Sequence, residues 1–247
     1  MKKKLSEEQE IVALKRAAKY RREFLGNVSH ELKTPIFNIQ GYIHTLIDGA
    51  LHDPSVNEKY LLRTSKSIDR LISIIEDLEI LAKLESDELA LDLTDWDFID
   101  LVKELFEFFE IKASEKNIKL VLETKLETLF VTADKEKINQ VLLNLISNAI
   151  KYGKNGGHVI LRVEKGSSDS SIEIIDNGIG ISADNISRVF ERFYRVDKGR
   201  SRSQGGTGLG LAIVKHIIEA HEQSINIKSE VNKGTTISFN MKNSITL

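Results

Sequence analysis

Between about residues 5 and 86, apolar side chains return at spacings of three, four and seven. The first run reads Leu14, Leu25, Val28, Leu32, Ile39 and Leu46, and the second Leu61, Thr64, Ile68, Leu71, Ile75, Leu78 and Ala82. Such a repeat lays an apolar seam along a long helix and leaves the seam in need of helical partners. Between the runs, Asp48, Gly49, His52, Asp53 and Pro54 mark a turn. The spacing predicts two helices, about 5–49 and 55–86, folded as an antiparallel hairpin. A lone hairpin cannot cover a seam on both helices. Two copies forming a four-helix bundle can, so a homodimer is expected.

One polar residue stands out on the first helix. At about 100° per residue, Leu25, Val28, Leu32, Ile36 and Ile39 share one side, and His30 points nearly opposite, with Thr34 and Phe37 on its face. An outward imidazole offers a neutral nitrogen able to attack an electrophile. Glu31, beside it, can accept a proton or orient the ring. Pro35 lacks the N–H a helix needs and loosens the helix five residues after His30. Taken alone, a surface histidine is usually just solvated.

From about Asp87 the pattern changes. Leu91, Leu93 and Trp96 suggest a short extended segment. Residues 98–114 read as an amphipathic helix with Leu101, Leu105, Phe108 and Phe109 on its apolar side. Strands are expected at 118–124, 128–132, 159–165, 171–176, 225–229 and 235–241, and helices at 134–152, capped by Asp134, and at 208–221. Mixed strands and helices of this kind make an α/β sandwich.

Three stretches of this second region carry chemistry. In Asn139–Tyr152 (NQVLLNLISNAIKY), Asn144 and Asn148 stand four apart on one helical face, and Gln140 extends the row. Amide oxygens suit a hard Mg²⁺ ion, and Lys151 can meet a phosphate charge. In IIDNGIGI, Asp176 ends a strand, where a carboxylate can accept a hydrogen bond from an adenine amino group. Gly178 and Gly180 let backbone pass close to a flat base. In GGTGLGLA, from Gly205, glycines open a helix whose free N–H groups suit phosphate. The spacing fits neither a dinucleotide fingerprint nor a P-loop. Arg195 follows Phe193 and Tyr194, and a basic loop with Lys198, Arg200 and Arg202 follows in turn, placed to close over a triphosphate.

The run Ser29–Pro35 (SHELKTP) resembles the phospho-accepting box of sensor histidine kinases, residue for residue. The later stretches, in this order, resemble the N, G1, F and G2 boxes of their catalytic domain, a relative of the gyrase, MutL and heat-shock chaperone ATPases. The resemblance covers about residues 22–241. It implies a dimerisation and phosphotransfer hairpin at 1–88 and an ATP-binding α/β sandwich at 89–247. It implies that His30 accepts phosphate, that Glu31 helps deprotonate it and that Thr34 positions water for the reverse, phosphatase reaction. Asn144 and Asn148 would hold Mg²⁺ and phosphates, Lys151 would contact phosphate and Tyr152 would lie near the base. Asp176 would bind adenine, and Gly178, Gly180, Gly206, Gly208 and Gly210 would shape the cleft, with Arg195, Thr207 and Leu209 beside the nucleotide. The implied partner is the receiver domain of a response regulator, and the implied cofactors are ATP and Mg²⁺. Helix geometry alone makes Gly26 and Phe37, on the His30 face, candidates for the docking surface.

Composition narrows the alternatives. A net charge of −2 over 247 residues gives no electrostatic footprint for nucleic acid. The absence of cysteine removes disulfides, thiolate metal sites and thiol nucleophiles. No apolar run approaches the roughly 18 residues of a membrane span, so a cytoplasmic chain is expected, with any membrane anchor lying in a segment absent from it. Two other classes stay open: a kinase of the same superfamily that phosphorylates a partner without using its own histidine, and a silent scaffold that only dimerises.

Overall fold

The computed structural model of the protein describes residues 7–85, 91–196 and 207–245. Two compact units divide at Glu79 and Ile80. The first is helical. Helix α1, Glu7–Ile47, runs for 41 residues straight through Pro35, and α2 spans Asn57–Glu85. A single 3₁₀ turn, Ala50–His52, joins them. It is entered through Gly49 at φ 124° and closed by Asp53, whose carboxylate accepts from the Ser55 N–H at 2.9 Å. The Tyr42 and Tyr60 rings lie 5.9 Å apart, and Glu31 pairs with Arg70. Positions fall on one helix as they rise on the other, so the hairpin is antiparallel.

The seam read from the sequence divides into two flanks. Val28, Leu32 and Ile39 on α1, with Thr64, Leu71 and Leu78 on α2, are half-buried, whereas Leu61, Ile68 and Ile75 are exposed. Ile74, outside the expected seam, is fully buried. The apolar face of a bundle helix is wider than an a/d seam, about three positions in seven. A single hairpin covers one flank of it. The other flank, Leu25, Ile36, Ile43 and Ile47 of α1 with Leu61, Ile68, Ile72 and Ile75 of α2, stays open.

The second unit is a two-layer α/β sandwich. Strands β1 (Thr94–Asp97) and β3 (Phe130–Ala133) form a small antiparallel pair. Strands β2 (Lys119–Glu123), β4 (His158–Lys165), β5 (Asp169–Asp176), β6 (Ile225–Glu230) and β7 (Gly234–Lys242) form a mixed sheet in the order β2-β4-β5-β7-β6, parallel only between β2 and β4. Helices α3 (Phe98–Ser114), α4 (Lys135–Tyr152) and α6 (Gly210–Ala220) accompany the sheet, with a four-residue helix α5 at Ala183–Ile186. Alternation decides the faces. Val159, Leu161 and Val163 of β4, Ile172 and Ile174 of β5, and Ile237, Phe239 and Met241 of β7 are buried, as are Val141, Leu142, Leu145, Ile146 and Ala149 of α4. The other face carries Arg162, paired with Glu123 and Glu173 at 3.1 and 3.0 Å.

Expected and observed elements differ by one to two residues at most ends, as fraying ends do. One side chain departs from expectation. Phe108 is 71% exposed, at the edge of an open groove of about 440 Å³ between α3 and α4 floored by Leu101, Leu105 and Leu143. It sits one step too far round α3 to reach the sheet.

Helix starts are fixed by carboxylates. Asp134 caps α4 by accepting from the Lys137 N–H at 3.0 Å, and Asp97 caps α3 from Ile99 at 3.0 Å while also receiving the Leu129 N–H at 2.9 Å. Since Asp97 serves a helix end and the strand leading into β3 together, Asp97→Ala is expected to destabilise this unit by about 1–2 kcal/mol. Chemical denaturation of wild type and variant checks it.

Candidate active site

His30 lies on the exposed side of α1. The hydroxyl of Thr34, one turn on, donates to the His30 carbonyl at 3.2 Å. Pro35 withholds the N–H that the Glu31 carbonyl would otherwise receive. The Glu31 carboxylate turns inward and takes a hydrogen bond from Arg70 of α2 at 2.9 Å, in a pair with side chains only 14% and 17% exposed. Arg70 was not legible as a site residue, because contact across a hairpin has no local spacing signature. Phe37 is 63% exposed on the histidine's side of the helix, and Gly26 has open space around it.

In the second unit the amide row lies along α4. Asn144 donates its Nδ2 to the Gln140 carbonyl at 3.1 Å, which leaves Oδ1 to face Gly210 at the start of α6. A Cβ at Gly210 would collide with that oxygen. Asn148 is half-buried and makes no hydrogen bond to a described residue. Two amide oxygens on one face, unspent within the protein, match the donor set of a hard divalent cation that completes its shell with phosphate and water. Lys151 lays its Nζ 5.0 Å from the Tyr152 ring centre. Lys116, which no motif announced, donates to the carbonyls of Ile150 and Lys151 at 3.0 and 2.6 Å, satisfying the last turn of α4.

The end of β5 meets the end of α4. The Ile179 N–H donates to the Tyr152 carbonyl at 3.2 Å, and Gly178 packs against that same carbonyl. The Asp176 carboxylate receives the Gly178 N–H at 2.8 Å. Burial pushes the Asp176 pKa up, against the pull of the Gly178 and Thr235 N–H groups and the charge of His158. Burial also raises the Tyr152 hydroxyl, and the nearby Arg195 guanidinium partly offsets this. Gly180, at φ 67°, lies so close to the Glu230 carbonyl that no side chain fits.

The segment before the glycine stretch is tied to it by backbone. Phe193 adopts φ 60°, an uncommon state for a bulky residue, and its N–H donates to the Gly208 carbonyl at 2.9 Å. Gly208, at φ 78°, presses on the Phe193 main chain. Thr207 is buried, and its hydroxyl accepts from the Leu209 N–H at 3.1 Å, turning the chain into α6. Gly205, Gly206, Lys198, Arg200 and Arg202 lie outside the described residues. Asn144, Tyr152, Asp176, Gly178, Arg195, Gly208 and Gly210, scattered over 67 positions, are thus linked through α4 and the ends of β5 and α6.

Comparison with known proteins agrees with this geometry. Residues 20–87 match the family model of the His Kinase A (phospho-acceptor) domain, and residues 133–245 match that of the histidine kinase-, DNA gyrase B- and HSP90-like ATPases. Among solved structures, the histidine kinase AdeS of Acinetobacter baumannii superposes with a TM-score of 0.68 at 30% identity, over 88% of this chain and 98% of that one. The chain belongs to the sensor histidine kinases. The sensor histidine kinase WalK of Bacillus subtilis is 38% identical over 223 residues, 90% of this chain but 36% of that protein. ThkA, solved in complex with the response regulator protein TrrA, aligns with a TM-score of 0.65 at 25% identity, over 98% of this chain and 68% of that one. The chain thus spans about a third of the length of WalK. Among the described residues no helix is long and apolar enough to cross a membrane.

Two outcomes follow. The atom blocking a side chain at Gly210 is the tip of Asn144, which can swing away. Gly210→Ala is expected to shift unfolding by about 1 kcal/mol or less while displacing the Asn144 amide and weakening MgATP binding, as calorimetric titration would register. At Asp176 the raised pKa means that the folded chain keeps this proton where the unfolded chain has lost it. Stability therefore falls as pH rises from the ordinary aspartate range through the raised value, and is lowest above it. Asp176→Asn removes that dependence. The stability gap between wild type and variant should change across this window, while the variant's adenine nucleotide affinity drops at pH 7.

Proposed function

We propose that this chain is the kinase portion of a two-component receptor, which phosphorylates its own His30 from ATP and passes the phosphoryl group to an aspartate of a response regulator. The observation that carries the reading is the convergence around α4 of a half-buried carboxylate, an unspent amide pair and a glycine-opened helix, in a chain that also presents His30 on an exposed helical face. Family membership and the ThkA–TrrA complex support the phosphorelay and the regulator partner.

The roles divide by chemistry. Asp176, ionised, accepts from the adenine amino group, and Tyr152 lies beside the base. The N–H groups of Gly208 and Gly210, at the start of α6, face phosphate oxygens, while the Leu209 N–H is held by Thr207. Gly206, Thr207 and Arg195 complete that side, and Lys151 supplies positive charge. Asn144 and Asn148 would hold Mg²⁺, which when bound neutralises charge on the triphosphate. An imidazole nitrogen of His30 attacks the γ-phosphorus in line, the bond to the bridging oxygen breaks, and ADP leaves. The proton on the other ring nitrogen passes to Glu31 or to solvent. Thr34, one turn from His30, orients the water that hydrolyses the regulator's acyl phosphate in the reverse, phosphatase function. The exposed Phe37 and Gly26 mark the surface for the receiver domain.

The open flank of the hairpin belongs to a homodimer interface, where a second copy buries Leu25, Ile36, Ile68 and Ile72 in a four-helix bundle. A cytoplasmic site of action follows from the need for ATP.

Incubation with MgATP labelled at the γ-phosphate tests the reading. Wild type is expected to take up label that is lost in acid, and His30→Gln to take up none. Acid-stable label would point to a partner-directed kinase, label on the variant would remove His30 as acceptor, and nucleotide binding without label would leave a scaffold.

A further inference from the structure

Helices α4 and α6 run antiparallel and are fastened at two points. One is the contact of Gly210 with Asn144 in the nucleotide site. The other lies at the far ends of both helices. His221, which closes α6, approaches the Ile217 carbonyl with Nδ1 at 2.8 Å, and its Nε2 lies 3.1 Å from the Asp134 N–H. A carbonyl only accepts, so Nδ1 carries the proton and Nε2 receives the Asp134 N–H. The ring is a neutral tautomer fixed by its own helix and bonded to the first residue of the other. Asp134 lies ten residues before Asn144, and Gly210 eleven before His221, so both fastenings are about 15 Å apart along the pair.

A cavity of about 180 Å³ opens beside the ring, lined by Leu93, Ile138, Ile218 and Met241 among others. The ring's two hydrogen bonds fix its orientation against this open side. Asp134 is itself buried and receives the Asp92 and Lys137 N–H groups, so the bond from His221 anchors α6 to a fixed point.

Resting on the nucleotide-site reading above, we infer that His221 is a positioning residue for nucleotide binding: its bond to the Asp134 N–H sets the axial register of α6 on α4, and with it the spacing of the Gly208–Gly210 N–H groups from the Asn144–Asn148 amides. It touches neither nucleotide nor metal.

Two replacements separate the ring's two bonds. In His221→Gln the longer amide oxygen can still accept from Asp134. In His221→Asn the amide keeps a donor for Ile217 but does not reach Asp134. Calorimetric titration of the full chain with MgATP, well below the melting temperature, is expected to give near wild-type affinity for His221→Gln and about fivefold weaker binding for His221→Asn, the worth of one hydrogen bond. A purely structural role would lower melting temperature in either variant and leave the affinities alike, and that result overturns the inference. Linkage supplies a measurement on wild type alone. If the bond favours MgATP, bound MgATP must favour the bond by the same factor, so exchange of the Asp134 amide hydrogen should slow about fivefold on adding MgATP. Unchanged exchange also overturns the inference. A wild type that binds no MgATP would instead remove the nucleotide-site reading itself.

Discussion

The approach of Asn144 to Gly210 governs how the nucleotide half of this chain is built. A side chain at position 210 would push the two helices apart or turn the amide away, and on the proposed reading either would separate the oxygens offered to Mg²⁺ from the helix N-terminus offered to phosphate. The sheet underneath is arranged to permit the approach. Val159, Leu161, Ile172 and Ile174 give α4 an apolar floor along one face, and the opposite face of α4 is thereby left for Asn144 and Asn148. On the proposed reading the helix is amphipathic in an uncommon sense, its polar stripe serving a ligand and only partly water.

The same economy of position appears at Asp176. Ending β5 places its carboxylate where two main-chain N–H groups can reach it, and the sheet and helix layers shield it from solvent. Holding a carboxylate there opposes folding at neutral pH, since burial disfavours its ionised form. The adenine contact proposed for Asp176 would account for a carboxylate at a site where it weakens the fold, since an acceptor in a partly dry cleft discriminates well between bases that offer an amino group and bases that do not. Phe193 is a second such place. Its left-handed backbone is accompanied by the hydrogen bond from its N–H to the Gly208 carbonyl, which couples this segment to the start of α6.

What could be read from sequence divides along the range of the interactions. Caps, turns and periodicity act within a few residues, so Asp134 as an N-cap, the extent of α3 and the turn between the two long helices were legible. Contacts over long separations were not. The parallel pairing of β2 with β4, the Glu31–Arg70 pair and the lysine at the end of α4 join residues 35 to 39 positions apart, and no local pattern encodes them. Phe108 fell on the apolar side by type, yet its angle on α3 carries it past the sheet. The hairpin seam was assigned as one stripe because a heptad count does not distinguish the flank facing the hairpin partner from the flank facing the dimer partner.

That last ambiguity bears on how His30 is controlled. α1 at this point is held less by its own hydrogen bonds than an ordinary helix, because Pro35 withholds one from the Glu31 carbonyl. The Thr34 hydroxyl adds a bond to the His30 carbonyl, and Arg70 anchors the Glu31 side chain to α2. The backbone around the histidine is therefore positioned by tertiary contacts to α2 as well as by the helix. α2 contributes Arg70 to the inner flank and Ile68 and Ile72 to the open one, within five residues. A rotation of α2 that changes the packing of the open flank must also move Arg70, and through Glu31 it reaches the residue next to His30. If a second copy covers that flank as proposed, packing between subunits and the backbone geometry at His30 cannot vary independently.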